Sequence, residues 1–313
     1  MSGEWISGEQ AIMGTSVRVE LWAPERGPGM DSIEAVMREM HRIDEAMSPY
    51  RETSELSRIN RNAAEGAVPL TAEMFFLLER SRHFSSISGG AFDITFAAVG
   101  NLHDYRKGTG PDAQHLEQAR AAIGWEALEL DPAARTVRFG RPGMAVDLGG
   151  FAKGHAVERA AAILRTRGVQ HAIVSAGGDS RILGDRRGRP WSIGVRDPRE
   201  SGRVVAVLPL EDVAVSTSGD YERYYEDGGV RHHHLIDPRT GRSPDALRSV
   251  TIIAGDGLTS EALSKSVFVL GLEEGMRLVD AQDGVDAVVV DREGALHYSR
   301  NLRAAARPAQ ARA

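Results

Sequence analysis

The stretch Asp147-Leu148-Gly149-Gly150-Phe151-Ala152-Lys153-Gly154 organises the middle of the chain, and a helical pattern follows it from Val157 to Leu164. Its glycines allow the backbone to approach an anion closely, and the N–H groups of the following helical turn would point toward it. Lys153 adds a positive charge to this predicted phosphate cradle. The spacing differs from the G-x-x-x-x-G-K-[ST] pattern, so a P-loop NTPase is not indicated. Without a phosphate, the same residues form a glycine-rich turn with a surface lysine.

Helix and strand patterns on both sides of this stretch place the chain in the α+β class. Residues 15–22 alternate apolar and polar side chains, which is typical of a half-buried strand. Short β-rich segments between residues 169 and 254 are separated by turns, so their strands are expected to pair mostly antiparallel. Helical spacing predicts further helices after a cap at Asp31 or Ser32, over residues 71–87, and near residues 259–270 and 273–282.

The domain boundaries follow from where these patterns begin and end. Residues 1–9 are expected to form an N-terminal tail, and residues 10–299 are expected to form one domain. Residues 300–313 are rich in Ala, Arg and Pro, so they are expected to be a disordered C-terminal tail.

Composition excludes several classes of protein. The 313 residues are 42% hydrophobic and 26% charged, which is typical of a soluble globular protein. A net charge of −6 without a basic stripe argues against general nucleic-acid binding. The absence of cysteine rules out disulfides, thiolate nucleophiles, sulfur-ligated metals and a lipid-modified N-terminal cysteine. The sequence contains no signal-peptide pattern and no apolar run of spanning length, so a complete chain is expected to be cytoplasmic, and one trimmed of its signal peptide periplasmic.

Three further segments suit nucleotide binding, although each also has an ordinary structural explanation. In Ser175-Ala176-Gly177-Gly178-Asp179, the glycine pair permits close approach to a ligand or a tight turn. Ser216-Thr217-Ser218-Gly219-Asp220-Tyr221-Glu222-Arg223 ends in a guanidinium suited to phosphate, or forms a capped turn between strands. In Gly90-Ala91-Phe92-Asp93-Ile94-Thr95, the Asp serves as a helix cap or as a ligand contact.

Three consecutive histidines lie within residues 231–241. Strand alternation puts His232 and His234 on one face and His233 on the other. Two imidazoles on one face suit a metal, but no third ligand is spaced nearby. A general base is therefore the better interpretation, because the unperturbed pKa of histidine lies near working pH. A solvent-facing histidine pair is the alternative.

Together and in this order, the segments resemble the ApbE family, the FAD:protein FMN transferases. Met13-Gly14-Thr15 resembles the family's opening pattern, and residues 47–60 resemble the next one, with Met47-Ser48-Pro49-Tyr50-Arg51, Ser54-Glu55-Leu56 and Asn60. The matching segments that follow are residues 90–95, 147–154, 177–179, 218–223 and 234–241. The resemblance covers about residues 10–290.

The resemblance implies two intertwined α/β lobes with mixed, largely antiparallel sheets and an FAD cleft between them. It implies transfer of FMN from FAD, through a phosphoester bond, to a Thr or Ser of a target flavoprotein with release of AMP. The target would carry Asp-Gly-x-Ser/Thr-Gly-Ala-Ser/Thr, a run that does not occur in this chain. Lys153 would face the diphosphate, and His234 would help to deprotonate the acceptor hydroxyl. The implied FAD-binding residues are Met13, Gly14, Thr15, Tyr50, Ser54, Ala91, Phe92, Asp93, Lys153, Gly177, Gly178, Asp179, Ser218, Gly219, Arg223, His234, Ile236 and Asp237.

The chain departs from the family at its implied Mg²⁺ site. Glu261 stands where the resemblance places an Asp ligand and Lys265 where it places a Thr ligand, and the third ligand would be a backbone carbonyl near Gly150. Glu261 reaches one methylene further than Asp, which the strict octahedral geometry of Mg²⁺ tolerates poorly. An ammonium is not a metal ligand, so Lys265 either replaces the ion as a catalytic group or marks the loss of metal and activity.

Three functions remain open at this point. The first is FMN transfer to a partner flavoprotein. The second is non-catalytic binding of FAD, which the exchange at Glu261 and Lys265 would produce. The third is hydrolysis of FAD to FMN and AMP, against which Tyr50 could shield the diphosphate from water.

Overall fold

The computed structural model describes residues 3–200 and 202–306. Within these residues the strands are β1 (Glu4–Ile12), β2 (Thr15–Ala23), β3 (Val68–Pro69), β4 (Leu128–Asp131), β5 (Thr136–Phe139), β6 (Ala172–Ala176), β7 (Asp179–Leu183), β8 (Trp191–Arg196), β9 (Val204–Leu210), β10 (Ala214–Gly219), β11 (Tyr224–Asp227), β12 (Val230–His233), β13 (Leu247–Ala254), β14 (Asp286–Asp291) and β15 (Leu296–Tyr298). The α-helices are α1 (Arg26–Met47), α2 (Glu55–Asn62), α3 (Ala72–Ile87), α4 (Ala97–Gly100), α5 (Ala113–Arg120), α6 (Ala152–Thr166), α7 (Gly257–Leu270), α8 (Leu272–Asp280) and α9 (Arg300–Ala306).

An eight-stranded sheet in the order β1-β2-β6-β7-β10-β13-β14-β15 is the centre of the molecule. Each ladder in this sheet is antiparallel. A three-stranded sheet, β3-β5-β4, and the hairpins β8-β9 and β11-β12 are separate from it. Helices packed on antiparallel sheets confirm the predicted α+β class.

The two faces of the main sheet are covered differently. Because side chains alternate along a strand, Val17, Val19 and Leu21 of β2 are all buried on one face. Helices α1, α6 and α7 pack against the sheet on this side. On the other face, the β8-β9 hairpin forms a second apolar cluster in which Trp191 packs with Ile182 and other sheet residues. The candidate site lies at the end of this sheet where α6 and α7 begin.

Both predicted tails contain regular structure where the chain is described. Residues 4–9, expected to belong to the N-terminal tail, lie in β1, which pairs with β2 from Glu4 to Ile12. The tail prediction was wrong for these residues. Hydrogen bonds to β2 stabilise this largely polar strand, and its sequence lacks the apolar alternation that would have predicted it. Residues 300–306 form α9 rather than a disordered tail. Residues 1, 2 and 307–313 of the predicted tails lie outside the described residues.

The helix boundaries are close to the predictions, with one exception. Thr71 caps α3 by accepting a hydrogen bond from the Met74 amide, as expected for a helix over residues 71–87. Helix α1 begins at Arg26 rather than after a cap at Asp31 or Ser32. Its first turn includes Pro28, which lacks the N–H that a first turn leaves unpaired in any case.

Candidate active site

Two tight hairpin turns meet at one end of the main sheet. Ile12 pairs with Thr15, so Met13 and Gly14 form a two-residue turn, and both have positive φ angles of 56° and 69°. That combination is the type I′ turn, whose twist matches its strands. Gly177 and Gly178 form the corresponding turn between β6 and β7. The predicted ligand-binding glycines are therefore brought to one edge of the sheet.

The two turns are in direct contact. The Gly177 amide donates to the Ser16 carbonyl, and a Cβ at position 177 would lie 2.9 Å from Thr15 Oγ1. A Cβ at position 178 would lie 2.6 Å from the Thr217 carbonyl oxygen, so only glycine fits there. The end of β10, with Ser218 and Gly219, lies at the same sheet end because β10 runs antiparallel to β7. This edge leaves little room for side chains and suits backbone contacts to a ligand.

Helices α6 and α7 cross beside this edge at a pair of glycines. A Cβ on Gly154 would lie 2.2 Å from the Gly257 carbonyl oxygen, so the two backbones touch. This approach brings the start of α6 to the side chain of Glu261 on α7. The Gly154 amide donates to Glu261 Oε2 at 2.6 Å. The predicted free amides at the start of α6 are therefore partly used by the protein itself.

A buried ion cluster forms at the crossing. Lys153 Nζ donates to Glu261 Oε1 at 2.9 Å and lies 3.4 Å from Asp179 Oδ2. Lys265 Nζ donates to the same Glu261 Oε1 at 3.2 Å. Glu261 and Asp179 are buried, and the side chains of Lys153 and Lys265 are 22% and 17% exposed, so the two lysines are the more accessible members of the cluster. The cluster combines two positive and two carboxyl groups from three separate elements.

The charges of this cluster shift one another's pKa values. Burial alone would raise the pKa of Glu261, but the ammonium groups of Lys153 and Lys265 outweigh it and hold the pKa below its usual value. Burial, together with the charge of Glu261, raises the pKa of Asp179. Burial would lower the pKa of Lys153, but Glu261 and Asp179 raise it. Lys153 is therefore held as a cation.

Two serine pairs attach α7 to β10 and fix the position of this cluster. Ser216 Oγ lies 2.8 Å from Ser260 Oγ, and Ser218 Oγ lies 2.8 Å from Ser264 Oγ. All four hydroxyls are buried. The hydroxyl of Ser218, predicted to bind cofactor, is thus engaged within the protein.

His234 lies next to the cluster and has a defined tautomer. Its Nδ1 is 3.4 Å from the Arg223 carbonyl oxygen, which can only accept, so Nδ1 carries the proton and Nε2 keeps a lone pair. Desolvation, His233 and the positive charges of Lys265 and Lys153 lower the pKa of His234 to about 3. The imidazole is therefore neutral near pH 7 with a lone pair on Nε2, although its pKa lies well below the value near working pH on which the sequence interpretation depended. His233 is buried, His232 and His234 are half-buried, and β12 ends at His233, so the expected division of the histidine faces stays a prediction for His234.

Arg223 extends from the β10–β11 connection toward the β1–β2 turn. A Cβ on Gly14 would lie 3.4 Å from Arg223 Nη2. Arg223 is exposed, and its guanidinium has no hydrogen bond or ion pair with the described residues. The structure thus places an uncompensated guanidinium beside the predicted ligand-binding turn.

Asp147 belongs to this neighbourhood, although the sequence interpretation did not include it among the site residues. Its Oδ1 accepts from the Gly149 amide, and burial raises its pKa against the opposing charges of Lys153 and Arg223. The sequence could have predicted this role, because an Asp carboxylate often accepts a hydrogen bond from a backbone amide two residues later in a turn.

Several predicted FAD contacts have side chains engaged elsewhere. Asp93 accepts from the Thr95 amide and hydroxyl and from the Trp125 amide, and Phe92 packs against Phe151. Ser54 caps α2. A nucleotide contact by these residues remains a prediction, and it would involve the backbone.

The remaining predicted contacts differ widely in exposure. Ala91, Ile236 and Asp237 are buried, and Asp237 forms a bidentate pair with Arg239. Tyr50 is 87% exposed, so its side chain is accessible to a ligand.

The model of the ApbE family matches residues 13–289 of this sequence. The chain belongs to the ApbE family. A relative from Rhodobacter capsulatus named "FAD:protein FMN transferase" is 32% identical over 94% of this chain and 57% of that protein. A relative of the same name from Treponema pallidum is 31% identical over 91% of this chain and 84% of that protein. This chain thus spans little more than half of the first relative.

Solved structures of the ApbE family have the same fold. The ApbE protein of Thermotoga maritima has a TM-score of 0.89 and 34% identity, covering 96% of this chain and 99% of that one. The flavin transferase ApbE of Vibrio cholerae has a TM-score of 0.85 and 27% identity, covering 97% and 99%. The motifs that suggested the family from the sequence therefore lie on its fold. No helix within residues 3–200 and 202–306 has the length and apolarity needed to cross a bilayer.

Proposed function

We propose that this member of the ApbE family is an FAD:protein FMN transferase, which attaches FMN to a Thr or Ser hydroxyl of a target flavoprotein. The observation that carries the proposal is the contact between His234 Nδ1 and the Arg223 carbonyl oxygen, which leaves Nε2 as a proton acceptor, while the charges of Lys265 and Lys153 act on the same imidazole. Phosphoryl transfer from a diphosphate needs such a base together with positive charge. The names of the relatives support the same reaction.

In this reaction the oxygen of the acceptor hydroxyl attacks the flavin-side phosphorus of FAD. A new P–O bond forms, the bond from that phosphorus to the bridging oxygen breaks, and AMP leaves with the bridging oxygen. The hydroxyl proton moves to Nε2 of His234. Lys265 and Arg223 offset the negative charge that grows on the phosphoryl and leaving oxygens.

The diphosphate of FAD is proposed to lie along the sheet end, between the hairpin turns and the ion cluster. Gly14, Gly177 and Gly178 permit close approach of the backbone, and Arg223 offers two parallel N–H donors. Met13, Thr15 and Tyr50 are then candidates for contacts to the flavin or adenosine. Lys153 acts by positioning Glu261 rather than by direct contact, because its hydrogen bonds are directed into the protein.

A resident Mg²⁺ does not fit the residues present. The predicted ligand Glu261 already accepts from Lys153, Lys265 and the Gly154 amide, and no cluster of three His, Cys, Asp or Glu suited to a metal occurs in the described part of the chain. The side chain of Lys265 lies against Gly150, since its Cε is 3.3 Å from a Cβ built at position 150. We therefore assign no catalytic step to Mg²⁺.

A transfer assay tests the proposed function. The protein is incubated with FAD and a peptide that carries Asp-Gly-x-Thr-Gly-Ala-Thr, and mass spectrometry follows the peptide. The expected result is addition of one FMN to the peptide together with release of AMP. Intact peptide alongside turnover of FAD to free FMN and AMP would instead identify an FAD pyrophosphatase.

The role of His234 is tested by His234→Ala, with His115→Ala on the exposed face of α5 as the matched control. Loss of the base should slow transfer by about 10²–10⁴-fold. The dissociation constant for FAD should change by less than about threefold, because Nε2 acts on the acceptor. An equal loss of binding and transfer would show a structural histidine.

Non-catalytic FAD binding is a second candidate, favoured by the mutual pairing of Lys153, Glu261 and Lys265. In this case the protein would hold FAD intact through many hours with the peptide present.

Hydrolysis is examined separately with Tyr50→Ala, which should increase release of free FMN if this side chain keeps water from the diphosphate.

A further inference from the structure

Lysine is rare in this chain, yet two lysines meet in the candidate site. Of the 38 lysine and arginine residues, only three are lysines: Lys107, Lys153 and Lys265. An ammonium is a compact point charge, whereas a guanidinium is a planar fork that cannot replace a small ion. The two lysines therefore supply a geometry that the abundant arginines cannot.

The two ammonium groups are not equivalent. Lys153 Nζ donates hydrogen bonds to Gly149 O at 3.0 Å and Glu261 Oε1 at 2.9 Å, and it forms an ion pair with Asp179 Oδ2 at 3.4 Å. Lys265 Nζ has one acceptor among the described residues, Glu261 Oε1 at 3.2 Å. Two N–H groups of Lys265 thus remain for a ligand.

Gly150 leaves space for the Lys265 side chain. A Cβ at position 150 would come within 3.3 Å of Lys265 Cε and 3.6 Å of its Cδ. The lysine therefore lies against the glycine-rich turn that precedes α6. Its ammonium donates to Glu261 Oε1 at 3.2 Å, so this side chain connects the turn to the buried carboxylate.

Glu261 cannot serve a divalent ion without losing its present partners. Oε1 accepts from both lysines and Oε2 from the Gly154 amide, so both carboxylate oxygens are engaged. An ion with two charges would also be repelled by two nearby ammonium groups. Removing either lysine from a buried carboxylate is costly, because the remaining charge is left unpaired.

We propose that the ammonium of Lys265 is the resident cation of this site and binds the diphosphate of the dinucleotide without a divalent metal ion. This inference rests on the proposed function, and it identifies the group that offsets charge there. Lys153 and Glu261 position Lys265, and the two unused N–H groups of Lys265 donate to diphosphate oxygens. When the P–O bond to the bridging oxygen breaks, these donors stabilise the oxygen that leaves with AMP.

The first experiment measures binding rather than turnover. FAD is titrated into the purified full chain by calorimetry, once with EDTA and once with millimolar Mg²⁺, after the metal content has been determined. The dissociation constants should agree within about twofold, and the protein should contain no stoichiometric divalent metal. A requirement for Mg²⁺ would overturn the inference and leave the transferase proposal intact.

The second experiment replaces the lysine. Lys265→Thr should weaken FAD binding in EDTA by about tenfold to a hundredfold, which corresponds to the loss of charged hydrogen bonds. Lys107→Thr is the matched control, because Lys107 is 79% exposed and, among the residues that the structure describes, forms an ion pair only with Asp104 of its own loop. Unchanged binding by Lys265→Thr would refute the inference. Lys265→Met keeps the aliphatic chain and gives the same comparison should the threonine variant fail to fold.

A third experiment tests whether the metal site can be restored. In the double variant Glu261→Asp with Lys265→Thr, FAD binding should improve at least tenfold when Mg²⁺ is added, while FAD binding by the natural chain should not change.

NMR of protein labelled with ¹⁵N-lysine adds a direct readout, because the whole chain has only three lysine Nζ signals. Inorganic diphosphate should shift the Lys265 signal and leave that of Lys107 in place; a shift confined to Lys153 would contradict the assignment. Binding that follows these results without any FMN transfer would remove the proposed function but preserve this inference.

Discussion

Gly154→Ala tests whether the contact between α6 and α7 holds the active site together. The added Cβ would lie 2.2 Å from the Gly257 carbonyl oxygen, 2.7 Å from the carbonyl carbon and 3.0 Å from Glu261 Cβ. Ordinary contacts begin near 3.4 Å, so the helices must separate by roughly 1 Å. Neither close neighbour on Gly257 can rotate away, because both are backbone atoms.

The expected cost follows from two opposing effects. Overpacking of this kind destabilises by about 1–3 kcal/mol. Alanine favours the helical conformation over glycine by about 1 kcal/mol, which offsets part of that cost. The separation also stretches the hydrogen bond from the Gly154 amide to Glu261, which adds about 1 kcal/mol. A net loss of about 1–3 kcal/mol is therefore expected.

The assay is urea unfolding followed by circular dichroism, together with FAD titration. The midpoint should fall by roughly 0.5–1 M, and FAD binding should weaken because Lys153 and Glu261 move apart. Gly27→Ala in α1 is the matched control, since nothing lies within 4 Å of a Cβ at that position. That control should be neutral or slightly stabilising. Equal stabilities for the two alanine variants would refute the predicted contact.

Three further outcomes are expected. Arg223→Ala should leave stability within about 0.5 kcal/mol, because the side chain is exposed and unpaired in the described structure, but weaken FAD binding about tenfold by calorimetry. Asp220→Ala should destabilise by about 2–3 kcal/mol in urea unfolding, because this buried carboxylate binds Arg199 through both oxygens; a loss under 0.5 kcal/mol would contradict that role. Hydrogen bonds from His155 and Arg42 lower the pKa of Glu73 from 4.5 to about 2; because this carboxylate is partly exposed and screened by solvent, about 1–2 kcal/mol of stability present above pH 4.5 should be lost as the pH falls toward 2. Glu73→Gln should flatten this acid dependence, and an unchanged pH profile would show that the pair contributes nothing.

Patterns confined to a few neighbouring residues predicted much of the fold. The alternation in residues 15–22 predicted β2, and the cap at Thr71 predicted the start of α3. Such signals are reliable because strand alternation and helix capping depend on neighbouring residues alone. β1 was not predicted, because its largely polar sequence shows no strand pattern and the strand is stabilised by its pairing with β2.

Only part of the candidate site could be predicted from the sequence. The glycine turns and the three histidines were identified, and the structure brings the turns together at one edge of the sheet. The engagement of Asp93 with Thr95 and Trp125 could not be foreseen, because the Trp125 amide lies 32 positions away in the chain. The sequence around an Asp is the same whether its carboxylate contacts a ligand or accepts hydrogen bonds within a turn, so the sequence does not distinguish the two roles.

The sequence by itself determined the family, the antiparallel character of the strands and the presence of Glu261 and Lys265 at the positions where the resemblance implies metal ligands. Only the tertiary structure decided which carboxylate each lysine ammonium contacts. It directs two hydrogen bonds and an ion pair of Lys153 into the protein, and it leaves two N–H groups of Lys265 without an acceptor among the described residues. The physical reason is that Glu261 lies 108 positions from Lys153, so long-range packing of α6 against α7 selects which acceptor meets which ammonium.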